Sequence, residues 1–382
     1  MAGLARFMPR LPALHLPRSP VIRALGLFWG AALLAVGGAA MALQILGPPK
    51  SPPSNPLVAA QPAPHQDAAH PLTRPEPAAP APAPEPPPKP AEPAAPTPIP
   101  RPGAPIAAPD PALLEPAPSY EGARLPRIGP GQRTPMRVYA AGHDPTDPRP
   151  RIAILLSDFA MNEQDSDEAI RTLPPAVSFA VSPYATRTER LLIAARARGH
   201  ETLAALPMEP NNHPLNEAGS YALLTGAAPA LNALRLEWAL SRITGYVGAT
   251  AALGRLHGER FAAATELHAT VLQELARRGL LYIDPRPGAV PPSPPSLHTA
   301  NAMPNFRAID LAVDSPPVRA EVEAKLNRLE QIARERGSAL GLASTPVPMT
   351  IDRIAAWAVS LPARGFVLVP VSALATAPAK PK

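Results

Sequence analysis

The sequence predicts an α/β domain with a parallel sheet, set behind an apolar span and a long proline-rich segment. Three observations carry this. From Arg151 onward short apolar runs alternate with amphipathic stretches of helical period, the pattern of strand–helix–strand units with right-handed crossovers. The opening run Ile152–Leu156 is apolar at every position, as in a strand covered on both faces. The chain also holds 59 prolines, and most of them lie ahead of this pattern.

The expected elements follow in order along the chain. Strand Ile152–Leu156 leads to helix Glu163–Thr172. Strand Ala176–Val181 is followed by a helix over Thr186–Arg198. Gly199 leads into strand Glu201–Leu206. A helix over Ala230–Ile243 and a short strand Tyr246–Ala249 come next. Phe261–Arg278 reads as one helix, stopped by Gly279. Leu280–Asp284 and Phe306–Val313 read as strands. A long helix Pro317–Arg336 ends at Gly337, strand Ser338–Ala343 follows, and helix Thr350–Leu361 precedes a last strand, Phe366–Val371. About seven strands in some 225 residues suit one domain, a barrel or an open sheet. In both, function collects at the C-terminal strand ends.

Ahead of the domain, residues 1–23 carry Arg6, Arg10, Arg18 and Arg23 and no acid. Residues 24–43, "ALGLFWGAALLAVGGAAMAL", are uncharged, and 20 residues cross a ~30 Å hydrocarbon core. Basic residues before Ala24–Leu43 predict a signal-anchor with its N-terminus in the cytoplasm and the rest across the inner membrane, in the periplasm. "AMA" at Ala40–Ala42 leaves cleavage and secretion to the periplasm as the alternative. Residues 44–118 are expected to be a disordered Pro/Ala-rich linker, since Ala81–Pro100 alone holds ten prolines and proline supports neither helix interiors nor sheet ladders. Residues 119–147 read as an extended lead-in packed on the domain edge, 148–376 as the domain, and 377–382 as a disordered tail.

The net charge of +6 is not spread through the domain, where 23 Lys+Arg face 21 Asp+Glu from Arg151 onward. That near-neutral balance argues against nucleic acid as a partner. With no cysteine, disulfides, Cys-bound zinc and thiol nucleophiles are excluded.

The expected strand ends carry Ser157-Asp158, Glu209 in "ALPMEP", "GATAALGR" at Gly248–Arg255, Asp284-Pro285-Arg286, Asp310, and "ASTP" at Ala343–Pro346. Asp158, Glu209, Asp284 and Arg286 are the candidate ligand-binding residues. A structural alternative stands beside each: Asp158 as a helix cap or an acceptor for loop amides, Asp284 and Arg286 as an ion pair, Glu209 as a solvated loop acid. Trp238 and Trp357 lie on amphipathic helices and are expected in the core. Among the histidines, His200 precedes a strand and His268 lies within a helix. Only His213 and His257 follow strand ends, so a relocated site would use those two.

"RIAILLSDF", "GHETLAALPMEP" and "RGSALGLASTPVPMTIDRIAAWAVSLPARGFVLVPVSAL", supported by "ARRGLLYIDPR", together resemble the divergent polysaccharide deacetylase family, a branch of the metal-dependent carbohydrate deacetylases. The resemblance covers about Pro148 to Leu374. It implies a distorted (β/α) barrel and hydrolysis of N-acetyl groups on carbohydrate. In such enzymes the first strand ends in paired aspartates, one a general base and one a metal ligand. Here the pair is Ser157-Asp158, leaving Asp158 as the only retained candidate ligand. The histidine before "LPMEP" is Ala205, that of "NNHMGS" falls at Ala252, and that of the late His-Pro falls at Ser344 or Thr345. "DSR" persists as Asp284-Pro285-Arg286.

Without imidazole, one carboxylate does not hold zinc, and serine is no base near neutral pH. The expectation is therefore a catalytically degenerate, membrane-anchored protein that needs no cofactor and binds cell-wall glycan or an envelope protein. The alternative is an active hydrolase with an atypical divalent-metal site.

Overall fold

A computed structural model describes residues 101–292 and 303–376. The expected span Ala24–Leu43, the linker up to residue 100 and the tail 377–382 lie outside them. Among the described residues no helix is long and apolar enough to cross a membrane.

The fold is α/β, built on a curled sheet in which every strand pair is parallel. Strands β1 (Leu114–Pro116) and β2 (Arg124–Pro126) form a separate antiparallel ribbon, and a short helix α1 (Pro135–Val138) follows. The sheet then takes β3 (Arg151–Phe159), β4 (Ser178–Val181), β5 (Thr202–Ala205), β6 (Gly248–Thr250), β7 (Leu281–Asp284), β8 (Phe306–Ala308), β9 (Leu311–Ala312), β10 (Ser338–Ala343) and β11 (Val367–Leu368). The helices are α2 (Glu163–Thr172), α3 (Thr188–Ala197), α4 (Pro229–Ser241), α5 (Glu259–Ala263), α6 (Thr265–Arg277), α7 (Arg319–Arg336) and α8 (Pro348–Ser360).

Strand order explains the curl. Eight strands run β8-β7-β6-β5-β4-β3-β10-β9. The two edge strands, β8 and β9, are separated in the chain by Ile309 and Asp310 alone. Opposite edges of a flat eight-strand sheet would stand some 33 Å apart at ~4.8 Å per strand. Two residues span far less, so the sheet must roll until its edges meet. The single strand expected at Phe306–Val313 is therefore two. Its first half pairs with β7 and its second with β10, and the count of about seven rises to eight on this path, with β11 beside β3. β11 pairs with Arg151 and Ile152, and β4 with Leu155 to Phe159, so both share one long flank of β3.

Alternation along the strands sorts the core into two layers. Ile152, Ile154 and Leu156 join the cluster that includes the helix residues Leu191, Leu236 and Leu329. Ala153 and Leu155 point into the other cluster with Leu203, Ile283 and Leu340. Both faces of β3 are thus covered, which is why its sequence is apolar throughout.

The lead-in is shaped differently from expectation. Leu113 and Tyr139 are fully or almost fully buried within the inner cluster and Leu125 within the outer one, so the segment anchors into both layers rather than only lining an edge. A 3-10 turn at Pro111–Leu113 and β1 also place residues 111–116 in the folded part, ahead of the expected linker end at 118. Proline at a first helical position costs nothing, so a Pro-rich composition hid an ordered turn.

The expected helix Phe261–Arg278 is broken at Ala264 (φ −79°, ψ 82°). No glycine or proline marks this break. The amide of Phe261, in the first turn where it has no intrahelical acceptor, donates to the Glu209 carbonyl at 3.1 Å and anchors the short first helix to the loop after β5. At the opposite end of the sheet from the candidate residues, Glu201 is buried where β5 begins. It accepts from Ser178 Oγ (2.9 Å), Ser372 N–H (3.0 Å), Ser372 Oγ (2.7 Å) and Ala141 N–H (3.1 Å). One carboxylate therefore joins the lead-in, β4, β5 and the C-terminal turn.

Candidate functional site

Parallel pairing puts the C-terminal ends of β3 to β7, β9 and β10 on one rim. β3 reaches the rim through a register shift between Leu156 and Phe159. Asp158 (φ 54°) and Ala160 (φ 71°) there adopt left-handed backbone, uncommon for residues other than glycine and concentrated at functional sites. The bulge turns the two polar residues in different directions. Ser157 is fully buried and donates its Oγ–H to the Ala252 carbonyl at 3.1 Å. Asp158 is half-buried against the loop after β6. Burial pushes its carboxyl up to about 6, and the Gly254 amide that donates to it opposes the rise.

Gly254 is required at this contact. Its φ is +55°, and a Cβ there would sit 2.6 Å from Asp158 Oδ2. Gly254→Ala is expected to cost about 2 kcal/mol, from left-handed strain and displacement of the carboxylate. Urea denaturation measures this, and unchanged stability would show that Asp158 is not seated on Gly254.

Asp284 ends β7 fully buried, but its carboxylate is already engaged. Oδ1 accepts the Arg286 amide (2.9 Å) and Nε (3.0 Å), and Oδ2 accepts Nη2 at 2.7 Å. The same contact raises the Arg286 guanidinium further above its ordinary value. The two residues form a local ion pair, the arrangement that the structural alternative describes.

Glu209 is not solvated, and its carboxylate is engaged by neighbours. It is buried, with Oε2 accepting the Thr225 amide (2.5 Å) and hydroxyl (2.7 Å) and Oε1 meeting Arg260 Nε at 3.1 Å. Burial pushes its carboxyl upward, and the Thr225 bonds with Arg260 outweigh that, so it lies below its usual value. It ties the loop after β5 to α5. Asp310 is structural as well, accepting the Leu340 amide at 2.8 Å and Arg307 Nη2 at 2.6 Å.

Two of the positions at which histidines were sought are closed alanines, and the third is a buried serine beside the half-buried Thr345. Ala205 and Ala252 are 1% and 0% exposed, and Ser344 is 3% exposed. Among the described residues neither His213 nor His257 belongs to a group of three or more side chains placed to hold a metal ion. His257 lies beside Glu259 and within the field of two rim acids. It is mostly buried, and burial lowers its imidazole while the charges of Glu259, Asp284 and Asp314 raise it. Its Nδ1 lies 3.8 Å from Glu259 Oε1, and its Nε2 is buried without a partner. His200 is structural, with Nδ1 2.9 Å from the Val177 carbonyl. His268 is buried in α6, edge-on to Tyr282, and burial lowers it to about 4.

Sequence reasoning missed Asp314. It stands just past β9 and is 2% exposed. Oδ2 accepts the amides of Ser344 (2.8 Å) and Thr345 (3.4 Å), and Oδ1 has no partner. The available signal was an acid at the end of the expected strand Phe306–Val313, the same signal that picked out Asp158 and Asp284.

The family model for divergent polysaccharide deacetylases matches residues 154–375. The chain belongs to this family. Among solved structures, an uncharacterized protein of Agrobacterium tumefaciens C58 is similar at 30% identity and a TM-score of 0.60, covering 66% of this chain and 99% of that one. The catalytic domain of a peptidoglycan N-acetylglucosamine deacetylase from Eubacterium rectale ATCC 33656 is similar at 10% identity and a TM-score of 0.39, covering 64% and 98%. A search of curated proteins finds no match.

A metal-dependent deacetylase family implies a divalent cation, and the donors of this family member do not fit one. Asp158 offers a single carboxylate, both Asp284 oxygens are taken by Arg286, and alanine stands at two expected imidazole positions. Among the described residues no group of three or more His, Asp or Glu side chains is placed to hold a metal ion. A zinc or similar site needs three protein donors.

Proposed function

We propose that this chain is a membrane-anchored, envelope-facing glycan-binding protein, built on the deacetylase fold and without metal-dependent hydrolysis. The donor set carries the reading. Ser157 stands where a base is needed and spends its hydroxyl on the Ala252 carbonyl, and Ala205 and Ala252 offer no ligand atoms. Asp158 remains as a half-buried carboxyl facing the rim, suited to hydrogen-bonding a sugar hydroxyl. The sequence of Ala24–Leu43 and its preceding arginines support placement in the inner membrane with the domain in the periplasm.

The test uses the purified full chain and the N-acetylglucosamine tetramer. Binding without acetate release, with zinc, cobalt or manganese added, is the expected result. Metal-dependent acetate release would overturn the degenerate reading. A second reading, hydrolysis at an atypical site, is favoured by His257, whose Nε2 is buried without a partner and whose imidazole feels the charges of Asp284 and Asp314. Under that reading acetate release occurs and is lost in His257→Ala.

A further inference from the structure

On the flank of the domain, three segments bring four aromatic side chains together against α4. Tyr120 comes from the lead-in, Tyr184 from the turn after β4, Tyr221 from the loop after β5, and Trp238 from α4 itself. The chain holds only six tyrosines and three tryptophans, so this is a strong local concentration. Trp238 was expected in the core, yet it is only half-buried. Tyr221 covers it, stacked at 4.0 Å and 11°, and is itself 37% exposed. Leu231 and Leu234, at 42% and 41% exposed, extend the same helix face through i, i+3 and i+7 spacing.

The stack is held rigidly. Trp238 meets the Tyr184 ring at 5.3 Å. The Tyr184 hydroxyl donates to the Ala218 carbonyl at 2.9 Å and accepts the Tyr221 amide at 3.3 Å. Gly219 (φ +94°) allows this approach, since a Cβ there would lie 2.3 Å from Tyr184 Oη. Arg242 lies 5.5 Å from the Trp238 ring and donates Nε–H to the Pro183 carbonyl at 3.1 Å. Packing of α4 against the barrel does not require an outermost ring that faces solvent.

We propose that this strip is a second glycan contact, in which the exposed face of Tyr221 stacks on the C–H face of a pyranose ring. The inference rests on the glycan-binding reading above and adds a surface outside the rim. The chemistry fits that occupant. A pyranose presents an apolar face edged by hydroxyls, and the strip presents phenol and indole faces edged by Arg235 and Arg242. A rigid aromatic with few rotatable bonds loses little entropy on contact. An aliphatic protein partner would need the leucines, not the stacked rings, at the centre.

The full chain is titrated with the N-acetylglucosamine tetramer while tryptophan emission is followed, because Trp238 lies directly beneath Tyr221. Binding is expected to perturb the emission. Tyr221→Ala is expected to weaken affinity about tenfold, an ordinary loss for one stacked ring. Tyr221→Phe, which keeps the ring, retains binding, and circular dichroism confirms that both variants fold. Wild-type binding that Asp158→Asn reduces and Tyr221→Ala leaves unchanged overturns the strip alone. Binding lost in Tyr221→Ala but untouched by Asp158→Asn keeps the strip and removes the rim as a glycan site. Tyr221→Ala that keeps glycan affinity and loses a crosslinked protein partner also overturns the proposal. A wild-type chain that binds no tetramer overturns both readings.

Discussion

Glu201→Ala is expected to lower the stability of the domain by about 3–5 kcal/mol, a large share of a typical total. The alanine removes the acceptor for four donors, the amides of Ala141 and Ser372 and the hydroxyls of Ser178 and Ser372. The hydroxyls can turn toward other acceptors, but the two buried amides cannot. Each unsatisfied buried amide costs about 1–3 kcal/mol, and the vacated volume adds a cavity penalty. Glu201→Gln keeps the volume and one good acceptor, so it should cost less than half as much. Denaturant unfolding of both variants distinguishes the cases. An alanine variant within about 1 kcal/mol of wild type would show that Glu201 does not hold these segments together. Because Glu201 lies away from the rim, loss of glycan binding in a still-folded variant would also contradict this role.

Asp158→Asn should do the opposite and stabilise the protein at neutral pH. Burial raises the folded carboxyl to about 6, against about 3.9 in an unfolded chain. Below about pH 4 both states are protonated, and the wild type has no penalty. Between about pH 4 and 6 the unfolded chain releases its proton while the folded chain keeps it, so stability falls as pH rises. Above that window the cost is constant at about 3 kcal/mol, from ~2 pH units at 1.36 kcal/mol each. Asparagine carries no charge and tolerates left-handed backbone. The variant should therefore lead wild type by up to about 3 kcal/mol at pH 7 and converge with it near pH 4. A variant no more stable at pH 7, or a gap that does not close in acid, would show that Asp158 is not a buried, uncompensated carboxylate. A residue kept against its own stability cost fits a rim that contacts ligand.

Much of the fold was legible because strand and helix periods follow directly from residue order. Helix Glu163–Thr172 and strand Ser338–Ala343 have the bounds read from sequence. Both are bracketed by local signals, Asn162 capping the Asp165 amide and Gly337 closing α7. The break at Ala264 and the split of Phe306–Val313 were not legible, since each depends on a distant partner. The loop after β5 holds the first turn of the broken helix through Glu209, and pairing with β7 on one side and β10 on the other divides Phe306–Val313.

The rim divides in the same way. Residue types alone determined the family pattern, the serine beside Asp158 and the alanines at 205 and 252, because the donor atoms a position offers are visible without coordinates. Which surviving polar groups remain open was decided only by the tertiary structure. Asp158, Glu209 and Asp284 look alike as acids near strand ends. Asp284 finds Arg286 two residues on, a pairing that sequence spacing already offered, whereas folding gives Glu209 its distant Thr225 and Arg260 and leaves Asp158 with burial and one amide. It also brings His257 and Asp314 to the same rim from loops 57 residues apart in number. Hydrogen-bond satisfaction is a property of neighbours in space, and sequence spacing fixes only those within a turn or two.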